Sequence, residues 1–154
     1  MDRYSEVTNK NQREIVLLKA FPCKWGKCSF CDYILDNSND EEEINKLNFE
    51  VLENITGKYK VLEVINSGSC FEIPKATLLK IKEIVKEKKI ERLFFESHWI
   101  YKKKIQQMRD FFDIPITFKI GVETFDYDFR NNFLNKNAKF ETVEELKKYF
   151  DSPC

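Results

Sequence analysis

Three cysteines lie close together in one short segment, Cys23-Lys24-Trp25-Gly26-Lys27-Cys28-Ser29-Phe30-Cys31. The chain has five cysteines, which is too few for a disulfide scaffold, and clusters of this kind bind metal more often than they pair with each other. Three thiolates can hold three irons of a 4Fe-4S cluster and leave the fourth iron open to a small ligand. A structural zinc site normally has four protein ligands, so it would need Cys70 or His98 as the fourth. The spacing alone leaves both metals open.

The elements that must position this segment alternate along the chain between strand-like and helix-like patterns. Strands that alternate with helices predict parallel pairing and right-handed crossovers. An α/β fold with four β/α units follows, built either as a doubly wound sheet or as a barrel-like sheet. The predicted strands are 14–21, 59–65, 90–95 and 114–122, and the predicted helices are 40–55, one from about 75, 99–112, 126–134 and 143–150.

Both architectures place their chemistry at the C-terminal ends of the strands. The loops expected to form a site are therefore 22–33, 66–74, 96–99 and 121–126. The cysteine cluster falls in the first of these loops, directly after the first predicted strand. The other three loops carry polar residues that could hold a ligand beside it.

Composition narrows the class of partner. The 154 residues correspond to one domain, which we expect over residues 1–154, and 26 basic residues balance 26 acidic ones. A zero net charge disfavours a chain that mainly grips a large polyanion, so a small-molecule partner is favoured over a nucleic acid. No segment has the length and apolarity of a membrane span, and the N-terminus lacks the pattern of a secretory signal. We expect a cytoplasmic protein with no membrane partner.

The sequence resembles the radical SAM (S-adenosylmethionine) enzymes, in particular the subgroup related to the tRNA wobble-uridine enzymes, over residues 15 to about 140. The cluster motif of that family is usually C-x3-C-x2-C, whereas this chain has C-x4-C-x2-C with an aromatic residue, Phe30, before the last cysteine. Asn66-Ser67-Gly68-Ser69 resembles the glycine-containing segment that receives the SAM amino group. Glu96-Ser97-His98-Trp99 resembles a Glu-Ser-Arg-Pro segment, and Gly121-Val122-Glu123-Thr124 resembles a Gly-x-Glu-Thr signature that continues into Lys136.

This resemblance implies a partial (β/α) barrel that holds a 4Fe-4S cluster and SAM. The cluster ligands would be Cys23, Cys28 and Cys31. The residues that would bind SAM are Ser67, Gly68, Ser69, Glu96, His98, which stands where Arg is usual, and Glu123. Carbonyl, hydroxyl and carboxylate oxygens of this kind can accept from the SAM ammonium or from the ribose hydroxyls. An electron donor such as flavodoxin or ferredoxin would supply the electron that releases a 5′-deoxyadenosyl radical, which is chemistry that the cofactors bring.

The sequence leaves three functions open. Neutral charge and small size favour a radical SAM enzyme that acts on a small free molecule over one that modifies tRNA, and a non-catalytic zinc or iron–sulfur binding module is a third reading. Within the first class, the compact chain and its unusual cysteine loop most resemble a lyase that cleaves the C–N bond between a cyclopentenediol and an aminomethyl-deazaguanine. A guanine-like edge presents N–H donors, so we expect a carboxylate to accept hydrogen bonds from it. The candidates are Asp32, Glu72 and Asp126.

The end of the sequence carries the start of a further strand. Residues 149–153 have the pattern of a lead-in to a fifth strand after the last predicted helix. An open sheet edge is normally covered. We therefore expect residues beyond Cys154 that carry part of the substrate pocket, or a second chain, as in a homodimer, that completes the sheet.

Overall fold

The computed structural model describes residues 2–154. Its six-stranded sheet follows the order of the chain, and β1 pairs antiparallel with β2 while all later pairs are parallel. The strands are β1 (Tyr4–Val7), β2 (Arg13–Leu18), β3 (Val61–Asn66), β4 (Arg92–Ser97), β5 (Ile116–Ile120) and β6 (Ser152–Pro153). The α-helices are α1 (Glu41–Leu52), α2 (Lys75–Glu87), α3 (Ile105–Phe112) and α4 (Val143–Lys147).

The strand order selects between the two predicted architectures. Strands β2 to β6 are neighbours in the order in which the chain makes them, so all right-handed crossovers place their helices on the same face of the sheet. A doubly wound sheet would reverse its direction part of the way through. The predicted partial (β/α) barrel is therefore confirmed, and residues 152–153 form the short strand β6 within the segment predicted to lead into a further strand.

Alternation along the strands builds the core. In β2, for example, Val16 and Leu18 are fully buried while Ile15 and Leu17 are only partly buried. The buried set packs against apolar residues of the helices. The alternate residues of β2 to β5 point to the other side, which we call the open face; in a closed barrel this would be the interior.

Helix α1 shows how local sequence sets the boundaries. The Asp40 side chain accepts a hydrogen bond from Glu43 N (3.0 Å), and three glutamates occupy the first turn, where the helix dipole favours negative charge. Ile44, Val51 and Leu52 then recur at helical spacing and are buried.

Several predicted boundaries were wrong. Strand β2 ends at Leu18 instead of residue 21, and the helix predicted over 99–112 begins as a 3₁₀ turn, Trp99–Lys104, before α3. The helix predicted over 126–134 is a π-helical turn, Phe129–Phe133, whose wider geometry accompanies an inward Arg130 side chain. The short strand β1 was not predicted because its sequence lacks an apolar pattern. It forms by pairing with β2.

Among residues 2–154, no helix has the length and apolarity needed to cross a bilayer.

Candidate active site

The cysteine loop leaves the C-terminal end of β2 and has no regular structure before the 3₁₀ turn Tyr33–Asp36. Cys23, Cys28 and Cys31 are partly buried, and none of them forms a disulfide. Burial raises the pKa of the Cys23 and Cys28 thiols, and the neighbouring Cys31 raises both further, while Lys136 opposes the rise at Cys28. The three sulfurs therefore share one electrostatic environment and repel one another as thiolates. A bound metal cluster would offset that repulsion.

The donor set fits a 4Fe-4S cluster. Each cysteine of such a cluster binds a different iron, so the sulfurs need not converge on one point. Within residues 2–154, no three Cys, His, Asp or Glu side chains converge to hold a single metal ion. The two candidates for a fourth zinc ligand are engaged elsewhere: the Cys70 side chain is fully buried in the core, and both ring nitrogens of His98 have hydrogen-bonding partners.

The segment after the π-helical turn fixes the cysteine loop. Trp25 Nε1 donates to Asn135 O (2.6 Å), and Asn135 Nδ2 donates to Lys27 O (2.8 Å). Ser29 N donates to Leu134 O (3.0 Å). These contacts cross more than a hundred residues of sequence, so the loop is positioned by tertiary structure and not by its own short-range preferences.

The loop after β3 lies against the first cysteine. Gly68 has a φ of +147°, and a Cβ there would collide with a carboxylate oxygen of Glu72 and lie 3.5 Å from Cys23 Cβ. Only glycine permits this backbone without strain. The Asn37 amide, with its nitrogen facing Ser67, donates to Ser67 O (2.7 Å) and accepts from Cys23 N (3.2 Å). Ser67 and Gly68 are thus placed beside the cysteine loop, as predicted from their order.

Ser69 and Glu72 form a reciprocal cap on the 3₁₀ turn Cys70–Glu72. Ser69 Oγ also accepts from His98 N (2.8 Å), which connects the loop after β3 to the loop after β4. Both carboxylate oxygens of Glu72 accept hydrogen bonds from within the protein. Glu72 was predicted to bind the guanine-like edge of the substrate, but in the structure its hydrogen-bonding partners are groups of the protein.

Glu96 lies on the open face near the C-terminal end of β4. Burial raises the pKa of its carboxyl group, and the positive charges of Lys119 and Lys136 oppose that rise. Lys119 is its cross-strand partner on β5. A carboxylate in this position can accept from a ligand ammonium or hydroxyl brought to the strand ends.

His98 connects two loops through its ring. Nδ1 accepts from Ile100 N (3.1 Å), so the proton lies on Nε2, which donates to Lys136 O (2.5 Å). Burial is the main cause that lowers the His98 pKa from its usual 6.5 to about 4. The ring is a neutral connector between the loop after β4 and the segment that holds the cysteine loop.

We expect this His98 connection to weaken in acid. Because the folded-state pKa is depressed, the unfolded chain binds the extra proton first, and stability rises with pH between about 4 and 6.5. The stabilisation is present above pH 6.5 and is lost as the pH falls toward 4. Comparing the wild type with His98→Gln, the difference in free energy of unfolding should fall by about 3 kcal/mol between pH 7 and pH 4. Urea titrations at each pH measure it, and a difference that does not change with pH would contradict the neutral connector.

Lys136 is a buried cation at the centre of the loops. The residue is 7% exposed, its Nζ lies 3.1 Å from Glu123 Oε1, and it sits over the Phe30 ring at 5.2 Å. Glu123 has a positive φ of +64° and is exposed. The ammonium group can balance negative charge on the cluster thiolates or on a ligand carboxylate. Sequence patterns included Lys136 in a signature without giving it a role.

A charge network on the open face was missed by the sequence reasoning. Arg13 and Lys119 both pair with Glu63, which is 3% exposed. The cations hold the pKa of the Glu63 carboxyl below its usual value, although burial acts in the opposite direction. The available signal was a single charged residue inside each of two strands, Glu63 in β3 and Lys119 in β5, since such residues point to a ligand-facing or paired position.

The other two carboxylates predicted to bind the substrate are exposed. Asp32 lines a shallow groove together with Phe30, Cys31, Tyr33 and Leu35. Asp126 lies after β5, where its Oδ1 accepts from Phe129 N (2.9 Å) and so caps the π-helical turn. The structure therefore groups the predicted cluster and SAM residues around Lys136 and Glu72, and leaves Asp32 and Asp126 nearer the rim.

Comparison with known proteins shows which proteins share this fold and sequence. A solved structure, described as queuine lyase from Clostridium spiroforme bound to SAM and queuine, is 58% identical and superposes with a TM-score of 0.98 over 100% of this chain and 67% of that one. An uncharacterised protein of Methanocaldococcus jannaschii is 26% identical over 146 residues, which are 83% of this chain and 40% of that protein. This chain thus spans less than half of the archaeal relative's length. No family profile matches the sequence.

The partial parallel barrel with its site on the strand-end loops is that of the radical SAM class. Within that class, the chain belongs to the queuine lyase family.

Proposed function

We propose that this protein is a radical SAM lyase that cleaves the C–N bond of queuine between the cyclopentenediol and the aminomethyl-deazaguanine, and so releases the base preQ1. The observation that carries the proposal is the superposition over the whole chain on a queuine lyase structure that holds SAM and queuine. The three free cysteines on the loop after β2 support the same chemistry. We place this reaction in the cytoplasm, where thiols remain reduced.

In this proposal the residues of the four loops divide the work. Cys23, Cys28 and Cys31 would hold a 4Fe-4S cluster, and SAM would lie between the backbone of residues 67–69 and the carboxylates of Glu96 and Glu123. A cluster and SAM held by these residues would supply 5′-deoxyadenosyl radical chemistry for removing a hydrogen atom from the cyclopentenediol.

The side chains and backbone of this chain would bind the ligands and shield the cluster from water. Gly68 lets the backbone approach a ligand, and Glu96 on the open face offers acceptors to ammonium or hydroxyl groups. Lys136 would balance negative charge beside Cys28. For the guanine-like edge we propose Asp32 or Asp126, whose exposed carboxylates lie on the cysteine loop and after β5. Phe30 and Trp25 would limit access of water to the cluster.

The test is anaerobic reconstitution with iron and sulfide, followed by incubation with SAM, dithionite and queuine. We expect 5′-deoxyadenosine and preQ1 to form together. Deoxyadenosine without preQ1 would keep the radical chemistry and reject queuine as the substrate. A colourless zinc-bound protein that leaves SAM intact would reject both.

We further propose an acidic electron donor, such as flavodoxin or ferredoxin, at a basic surface beside the cysteine loop. The ammonium groups of Lys24 and Lys104 lie 5.8 and 5.7 Å from the centre of the Tyr101 ring, so they share one patch. Exposed Lys103 extends it. Opposite charges of this kind accelerate protein association.

Reversing two of these charges should slow reduction by the protein donor. For Lys103→Glu/Lys104→Glu we expect flavodoxin-supported deoxyadenosine formation to fall about tenfold at low salt, relative to the rate with dithionite. Lys86→Glu/Lys89→Glu is the matched control, because it makes the same charge change at the opposite end of the sheet. Equal loss in both double variants would contradict a docking surface at Lys103 and Lys104.

A further inference from the structure

Glu72 is a buried carboxylate that bridges two loops of the site. It is 6% exposed, and its Oε1 accepts from Lys24 N (2.8 Å) and from the Tyr101 hydroxyl (3.0 Å). Its Oε2 accepts from Ser69 N (2.5 Å). One side chain thus binds the backbone of the cysteine loop on one side and the backbone of the loop after β3 on the other.

Hydrogen bonds compensate most of the Glu72 charge, and the positive charge of the nearby Lys24 side chain adds a smaller contribution. Among residues 2–154, no lysine or arginine forms a salt bridge with Glu72. Burial raises the pKa of its carboxyl group, while the hydrogen bonds from Lys24 N and Ser69 N oppose that rise. Burying a carboxylate is costly unless its oxygens are satisfied, so the geometry of its two amide donors is tightly constrained.

The position of the carboxylate also explains a glycine. A Cβ at Gly68 would collide with Glu72 Oε2 and would lie 3.5 Å from Cys23 Cβ. Glu72 and Cys23 therefore both lie against the backbone that would receive SAM.

We propose that Glu72 is a positioning residue that fixes the Cys23–Lys24 backbone against the Gly68–Ser69 backbone. It does so through its two amide hydrogen bonds, and its contact with Tyr101 holds the carboxylate in place. This role rests on the proposed function for the identity of the ligands, but the bridge itself is a property of the protein. It assigns Glu72 to the support of the cluster and SAM loops instead of to the substrate.

Glu14 provides a matched control. It is fully buried, and its carboxylate accepts from Thr56 N (2.7 Å), Gly57 N (2.8 Å) and the Tyr4 hydroxyl (2.9 Å). Those partners lie near the start of β2, at the end of the sheet opposite the cysteine loop. Glu14 and Glu72 therefore use the same kinds of donor, but only Glu72 touches the site.

The experiment compares Glu72→Gln and Glu72→Asp with Glu14→Gln and Glu14→Asp in the full chain. Gln keeps the shape but turns an amide nitrogen toward one of the donors, whereas Asp keeps the charge but is one methylene too short to bridge both loops. Three quantities are measured: hydrogen exchange of the Lys24 and Ser69 amides before and after reconstitution, iron retained per chain, and the KM for SAM in deoxyadenosine formation.

We expect both Glu72 variants to exchange at least one of the two amides about tenfold faster or more, to retain less iron, and to raise the KM for SAM about tenfold, as supporting residues of metal sites do. The Glu14 variants should lower the melting temperature and leave these three quantities unchanged. Glu72→Asp keeps the test decisive if Glu72→Gln does not fold.

Two results would overturn the positioning role. One is wild-type protection of both amides in the Glu72 variants, and the other is the same iron loss and KM change in the Glu14 variants. Hydrogen exchange before reconstitution needs neither cluster nor SAM, so it separates this proposal from the proposed function. If the wild-type protein fails to cleave SAM while the amides lose protection only in the Glu72 variants, the proposed function is rejected and the bridging role of Glu72 is retained.

Discussion

Cys28→Ala should lose the iron–sulfur cluster and reduce deoxyadenosine formation to background. Cys28 is one of three partly buried thiols on a single loop, and burial together with Cys31 and Cys23 raises its pKa. Removing one leaves two ligands for a cluster that needs three, and the vacated iron would be open to solvent. Iron and sulfide analysis after anaerobic reconstitution, together with a SAM-cleavage assay, measures both effects.

Cys70→Ala is the control for this variant. Cys70 is fully buried in the apolar core, and burial holds the pKa of its thiol well above its usual range, so it behaves as a small apolar side chain. We expect normal iron content and some loss of stability. Equal metal loss in Cys28→Ala and Cys70→Ala would instead indicate a site with four cysteine ligands.

Arg130→Met should cost about 3 kcal/mol or more in the free energy of unfolding. The Arg130 side chain is 1% exposed and donates to the carbonyls of Ala138, Thr124 and Phe140. Methionine fills part of the volume but removes this donor from the Thr124 and Phe140 carbonyls, and buried unpaired carbonyls are costly, whereas Ala138 O keeps a hydrogen bond from Asn131 Nδ2 (3.2 Å). Because residues 134–136 hold the cysteine loop, we also expect reduced iron retention.

Chemical denaturation of Arg130→Met and of a matched surface variant, Arg92→Met, measures this effect. Arg92 is exposed at the start of β4, so its replacement removes the same charge without unpairing buried carbonyls. A loss below about 1 kcal/mol for Arg130→Met, within the range of ordinary surface substitutions and near that of Arg92→Met, would show that the Arg130 bonds do not hold the segment together.

Much of the fold could be predicted because it depends on local patterns. The alternating burial of β2, β4 and β5 and the helical spacing in α1 and α2 each follow from side chains near in sequence. Alternation of strands with helices then predicts parallel pairing with right-handed crossovers. The order of β2 to β6 had to come from the structure, because both candidate architectures share the same element pattern.

The positions of Cys23, Gly68 and Glu96 at strand ends followed from the same reasoning. Their supporting contacts did not, because they join residues far apart in the chain. Glu72 illustrates the limit: a carboxylate near the site reads as a substrate ligand, and only its contacts with Lys24 N and Ser69 N give it another role. His98 is similar, since a ring with two internal partners cannot be distinguished by sequence from one that faces a ligand.

The most direct test of the central claim is electron paramagnetic resonance of the anaerobically reconstituted, reduced protein with and without SAM. If Cys23, Cys28 and Cys31 hold a 4Fe-4S cluster whose fourth iron is open, the reduced cluster gives a signal that changes when SAM is added, and Cys28→Ala gives none. A protein that contains one zinc per chain and no iron, or a cluster signal that SAM leaves unchanged, would contradict it.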